Sequence, residues 1–168
     1  MTLITNQRGY QETKIVLQTR SGVDIDNYQS SDYSPSELAY FEFLKGKYFG
    51  AGIKYRTNPI PVYNCHGMTF ASRRTCITDP ALIYLILEED KYSEVNKSDV
   101  LPGDIILYFE PDKGEIVHSG VVVSEPDINT GALWIVSKWG RFSEVYHWSH
   151  VGPYSEYTSS AKYFRIRK

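Results

Sequence analysis

Dense apolar runs at residues 104–109, 116–123 and 132–138, separated by turn-rich segments, most constrain what this chain can become. Their β-type composition marks them as strands. Further strands are expected at 144–148 and 162–166. The helical signals all precede these runs. Helices first and strands after predicts an α+β fold, with N-terminal helices packed on an antiparallel sheet of about five or six strands.

The helix starts are marked by capping chemistry. Ser34-Pro35-Ser36-Glu37 places a serine N-cap before a first-turn proline, with a glutamate three residues after the cap. This helix should run through Leu38, Phe41, Phe43 and Leu44 and stop near Gly46 or Gly50. Asp79-Pro80 starts another helix over 81–89 by the same logic. A third helix is expected over 65–74, with Met68 and Ala71 or Phe70 inward. Its Arg73 and Arg74 would complement the dipole in the last turn. Residues 1–33 are polar, with a β-like run over 14–19, and read as an N-terminal arm or edge strand.

A length of 168 residues suits a single domain spanning 1–168 with a substantial core. A formal charge of −2 argues against nucleic acid, whose phosphates call for a basic surface. No apolar stretch approaches the roughly 18–20 residues of a membrane span. Residues 1–8 lack the charged-then-apolar pattern of a secretory signal. Cys65 and Cys76 are too few for a disulfide framework or a structural zinc site, so free thiols made in a reducing compartment are expected. No metal or organic cofactor is implied. The 14 tyrosines read either as a binding cleft or as half-buried strand residues.

Against this background one pairing carries chemistry. Tyr63-Asn64-Cys65-His66-Gly67-Met68 puts a cysteine at a helix start, and His118 heads the apolar run 116–123. Amide attack requires a thiolate, and a free thiol titrates near 8.5, about a unit and a half too high. Unpaired backbone N–H groups at a helix start stabilise the anion, and a neighbouring imidazole takes the proton and later returns it. The same N–H groups can hold an oxyanion. Gly67, lacking a side chain, would let substrate approach. On a strand His118 shares a face with Gly120 and would look into open space. Taken alone, Cys65 is as well read as a buried structural thiol, and His118 as an ordinary strand residue.

Together with Pro102-Gly103-Asp104 and the strand that follows it, these blocks resemble the NlpC-type cysteine peptidases, a reduced papain-like group with CHAP-type relatives. The resemblance covers roughly residues 50–140, and His118 follows Cys65 by 53 positions. It implies a papain-like fold, Cys65 as nucleophile and His118 as base. A third, orienting residue would be Ser137 on the next strand, with His147 or His150 as alternatives. Tyr55, Tyr63, Asn64, His66 and Gly67 would line the substrate cleft. Two residues depart from the family pattern: Asn64 stands where Asp is usual and His66 where Ser is usual. His66, one helical step of about 100° from Cys65, is not expected to be the base; it would line the cleft or lie exposed.

The activity implied is amide cleavage through a Cys65 acyl-enzyme, on a peptide or muropeptide of peptidoglycan. The chain would be synthesised in the cytoplasm and then exported as an effector or toxin, with a cognate immunity protein as partner, or act at the cell wall. Two alternatives stand beside this: a protein deamidase, protease or acyl-transferring toxin domain, and an inactive papain-like binding module.

Overall fold

The computed structural model describes residues 3–5 and 11–167, with side chains from residue 12 onward. The ends of the stretches 1–8 and 165–168, and part of the arm expected over 1–33, lie outside the described residues. The fold is α+β. A seven-stranded sheet runs in the order β4-β9-β8-β7-β6-β10-β5, every pairing antiparallel. Its members are β4 (Lys54–Tyr55), β5 (Tyr92–Val95), β6 (Ile105–Phe109), β7 (Ile116–Val122), β8 (Trp134–Lys138), β9 (Glu144–Trp148) and β10 (Lys162–Ile166). The two strands beyond the expected five are the short edges β4 and β5, which carry too little alternation to be read from sequence.

A separate three-stranded sheet joins β1 (Leu3–Thr5), β2 (Gln11–Thr13) and β3 (Gln29–Ser30). The β-like run 14–19 is not a strand; only Gln18 forms an isolated bridge, to Asp24. The segment is nonetheless anchored, because Leu17 and Ile25 join the main core.

The helices follow their caps. In α1 (Pro35–Lys47) the Ser34 side chain accepts from the Glu37 N–H, and Glu37 accepts from the Ser34 N–H in return. Phe41 and Leu44 are buried, while Leu38 and Phe43 are 49% and 57% exposed. In α3 (Pro80–Glu89) Asp79 caps the Ala81 N–H. Helix α2 spans only Cys65–Phe70, shorter than expected. Ser72 and Arg73 adopt left-handed backbone (φ 50° and 65°), and the Arg73 N–H closes on the Gly67 carbonyl. Arg73 is therefore no helix-end cation. Its side chain stays 42% exposed, and its Nε donates to the buried Glu144 at 2.6 Å.

The sheet has a core on each face. On the helix face Ile83, Ile86 and Leu87 of α3 pack against Ile105, Leu107, Phe109 and Ile116. On the far face Ile106, Tyr108, Val122, Ile135 and Tyr163 pack beneath Tyr157 and Ala161. Strand β6 is buried on both sides, which explains its unbroken apolar sequence. It begins one residue after the Pro-Gly-Asp block, whose work is structural. Gly103 takes φ +96°. Asp104 accepts from the Leu101 N–H and holds Arg165 of β10 through two 2.7 Å contacts.

One irregularity decides what faces where. Tyr108 pairs with His118 but Phe109 pairs with Ile116, so Val117 is an extra residue in β7, a β-bulge. Strict alternation from Ile116 would put His118 on the helix face. The bulge turns it to the far face beside Tyr108 and gives the helix face to Ser119.

Candidate active site

Cys65 occupies the first position of α2, and Asn64 is its N-cap. The Asn64 Oδ1 accepts from the N–H groups of Gly67 (2.9 Å) and Ile77 (3.2 Å), while its amide donates to the Ile77 carbonyl at 2.7 Å. Asparagine here is a structural clamp between helix start and following chain. Six residues make a small dipole, so any stabilisation of a thiolate comes from individual donors. Those that favour the anion are the backbone N–H groups of Ser119, His66 and Cys65 itself and the Ser119 hydroxyl. Burial outweighs them and pushes the Cys65 thiol up to about 11. At neutral pH the resting site holds a thiol.

Ser119 reaches α2 from β7. Its Oγ lies 2.9 Å from His66 Nδ1 and 3.0 Å from Thr69 Oγ1. Thr69 in turn donates to the Cys65 carbonyl at 2.9 Å. Burial lowers the His66 pKa to about 4, so its imidazole is neutral. Cys65 and His66 both border a cleft of about 390 Å³, with Tyr28, Glu37, Tyr40, Arg141 and Tyr154 around them. Of the two readings open for His66, the cleft-lining one is the one observed.

His118 is placed differently. It is 0% exposed, and its ring lies flat on Tyr154, centroids 3.8 Å apart and planes 9° from parallel. Neither ring nitrogen has a hydrogen-bond partner, the Cys65 thiol included. Burial, followed by the neighbouring charges of His147 and His66, drives its pKa well below the ordinary histidine value. The expectation that it looks into open space is corrected: the bulge turns it away from α2, and Tyr154 caps it. Tyr154 also lines the cleft beside Cys65.

The expected orienting residue does not reach His118. The Ser137 Oγ pairs with His147 Nε2 at 2.7 Å, and His147 Nδ1 lies 2.9 Å from the Trp148 carbonyl. Those two bonds occupy His147. His150 is exposed and borders a different pocket, with Lys97 and Asp127.

Three expected cleft residues have other work. A Cβ on Gly67 would stand 1.7 Å from the Thr75 carbonyl oxygen, so this glycine admits the protein's own chain and not substrate. Tyr63 is buried and donates to Glu144 at 2.8 Å, with Lys138 Nζ 3.9 Å from its ring centroid. Tyr55 is exposed on β4 and lines a groove with Leu38 and Pro59, away from Cys65. Glu144 is fully buried and also meets Arg56 at 3.1 Å. Burial alone would raise its pKa, but Arg73 and Tyr63 hold the carboxylate below its usual range. The rim pair Glu37–Arg141, at 2.5 Å, is similarly saturated, since the other Glu37 oxygen accepts from Ser34.

Sequence reasoning missed Ser119 and Tyr154. Ser119 lay inside the quoted histidine block, but its face depended on the bulge. No local pattern pointed to Tyr154, which sits 36 positions after the histidine it covers. Among the described residues no group of three or more His, Cys, Asp or Glu is placed to hold a metal ion. None of the described helices is long and apolar enough to cross a membrane. In comparisons with known proteins, no family model, no curated protein and no solved structure matches the chain.

Proposed function

We propose that this protein is a thiol hydrolase of the papain-like, NlpC-type class, cleaving an amide bond through an acyl-enzyme on Cys65. The observation that carries the reading is the placement of Cys65: a sulfur at a helix start capped by Asn64, at the edge of a cleft, with the backbone N–H groups of Cys65, His66 and Ser119 and the Ser119 hydroxyl favouring its thiolate. Those N–H groups suit the oxyanion of a tetrahedral intermediate as well as they suit a thiolate. The order of parts also fits: a cysteine helix packed on an antiparallel sheet, with the histidine on the strand it touches.

Substrate enters as an extended peptide in the cleft that Tyr28, Tyr40 and Tyr154 line. Muropeptide is the substrate that the resemblance suggests. His118, the base that the resemblance designates, comes into play only when Tyr154 leaves its face. Leaving a buried polar group unpaired costs on the order of 1–3 kcal/mol. An imidazole with two such nitrogens is a group whose partners belong to another state of the site.

The test is hydrolysis of purified muropeptides by the wild-type protein and by Cys65→Ala. Cleavage that vanishes in the variant supports the reading; equal cleavage by both sinks it. The rival reading is a non-catalytic module, and the raised Cys65 pKa and sealed His118 favour it. It requires Cys65 to react with iodoacetamide no faster than the buried Cys76 at every pH.

A further inference from the structure

We infer that His66 is a specificity-determining residue of the cleft. Its Nε2 accepts a hydrogen bond from an N–H of the bound amide, so the site takes primary and secondary amides in preference to tertiary amides and esters. This rests on the reading of Cys65 as the nucleophile, and it adds a property of the substrate that the reading leaves open.

Counting hydrogens along one chain of contacts fixes the state of the ring. Thr69 Oγ1 donates its single hydrogen to the Cys65 carbonyl at 2.9 Å, and a carbonyl oxygen only accepts. Toward Ser119 Oγ, 3.0 Å away, Thr69 is therefore the acceptor and Ser119 the donor. Ser119 has then spent its own hydrogen, so in its 2.9 Å contact with His66 it is Nδ1–H that donates. Burial lowers the His66 pKa to about 4 and keeps the ring neutral. A neutral imidazole with its hydrogen on Nδ1 carries a bare lone pair on Nε2. The run of donors from ring to Ser119 to Thr69 to helix carbonyl fixes the orientation of the ring as well as its tautomer.

That lone pair is open where Nδ1 is spent. His66 is only 4% exposed and borders the cleft beside Cys65. The ring's hydrogen bond is the one to Ser119. Among the described residues, the sealed side-chain nitrogens without a partner are those of His118 and Trp139. Nε2 of His66 is not one of them: unpartnered but unsealed, it looks into the cleft. Its strongest polar neighbours there are committed, Glu37 and Arg141 to each other at 2.5 Å and the Asn64 side chain to Gly67 and Ile77. The hydroxyls of Tyr28, Tyr40 and Tyr154 serve as donor or acceptor, whereas a bare imidazole nitrogen accepts only.

A ligand that fills the cleft displaces water from Nε2, and a ligand N–H restores the lost bond. Primary and secondary amides carry that hydrogen on the nitrogen next to the carbonyl; tertiary amides and esters carry none. A site with a buried acceptor left unpaired rejects such analogues.

The experiment compares alkylation of Cys65 by iodoacetamide, which offers N–H groups, with alkylation by its N,N-dimethyl analogue, which offers none. Rates on the full chain at neutral pH are read by mass spectrometry and divided by those of glutathione with the same reagent, which removes intrinsic reactivity. Cys65 should prefer iodoacetamide by about tenfold. The variant His66→Asn keeps a polar group where Nδ1 stood, and so the bond to Ser119, but has no atom where Nε2 stood; the preference should vanish. A preference unchanged in His66→Asn overturns the inference, as does a wild-type Cys65 that reacts fast but equally with both reagents, which leaves the nucleophile reading standing. A Cys65 that reacts no faster than Cys76 with either reagent overturns the nucleophile reading and this inference with it. Should the variant fail to fold, isotope-labelled histidine NMR of the wild-type protein decides: a hydrogen on Nδ1 of His66 with a bare Nε2 supports the inference, and a hydrogen on Nε2 overturns it.

Discussion

His66 and His118 sit on opposite sides of one strand, and their surroundings differ. His66 borders the cleft and shares a hydrogen bond with Ser119. His118 lies under Tyr154 with neither nitrogen engaged. Both are buried and both are neutral, so burial does not distinguish them. What distinguishes them is connection: one imidazole is wired to the cysteine helix, and the other belongs to the far core until something moves.

Acid sharpens this comparison most. His66 and His147 have folded pKa values near 4, and His118 lies well below 6.5. An unfolded histidine titrates near 6.5, so the unfolded state binds more protons as pH falls below that value. Stability is fully present above about pH 6.5 and is lost as pH drops toward about 4. With three such groups the slope is roughly 4 kcal/mol per pH unit. Urea titrations across this range should show it. Replacing His118 by a neutral residue of similar size should reduce the slope by about a third; an unchanged slope would mean that the sealed face already admits protons.

Next in size is Gly67→Ala, which acts on the connected side. Its Cβ would meet the Thr75 carbonyl oxygen at 1.7 Å, and backbone must give way. A loss of about 3 kcal/mol in denaturant unfolding is expected. Helix α2 should lift from β7, with loss of the His66–Ser119 bond. A variant as stable as the wild type would break the account of how α2 is seated.

Tyr154→Ala acts on the sealed side. Removing the ring opens His118 to water, and its pKa should rise toward the ordinary histidine value, as seen in the NMR titration of its ring protons. If His118 titrates as before, Tyr154 is not what seals it. The smallest effect belongs to Ser137→Ala. It removes a 2.7 Å bond to His147, for a loss of about 1 kcal/mol, and should leave Cys65 alkylation untouched. A fall in that rate would restore Ser137 to the site.

Much of this was legible in the chain, for identifiable reasons. Capping chemistry is local, so Ser34, Asp79 and the Pro residues after them located α1 and α3. The strands of the second half announced themselves because β6, β7 and β8 are buried on both faces for most of their length. Cys65 was correctly placed at the head of a helix. The failures were failures of long-range information. Whether His118 or Ser119 faces the helix depends on one unpaired residue, Val117, that only the partner strand reveals. Arg73 looked like a helix end until Glu144, 71 positions away, claimed it. Gly67 looked like an opening for substrate, but Thr75 fills it. His66 was set aside on helical geometry that is correct in itself; the hydroxyl that engages it comes from another strand.

The bulge at Val117 has a consequence for how such a chain can change. Lengthening or shortening the turn between β6 and β7 leaves each strand's facing pattern intact, because the turn absorbs the difference. Losing Val117 would remove the bulge and leave His118 and Ser119 on the faces they occupy now, whereas taking Val117 into the ladder at constant length would exchange the two faces from that point onward. The same run of side chains would then present an imidazole, where now there is a hydroxyl, to the cysteine. Which residue faces the cysteine helix is therefore a matter of pairing along one strand, and it can be reset by engaging a single unpaired residue without altering any of the others.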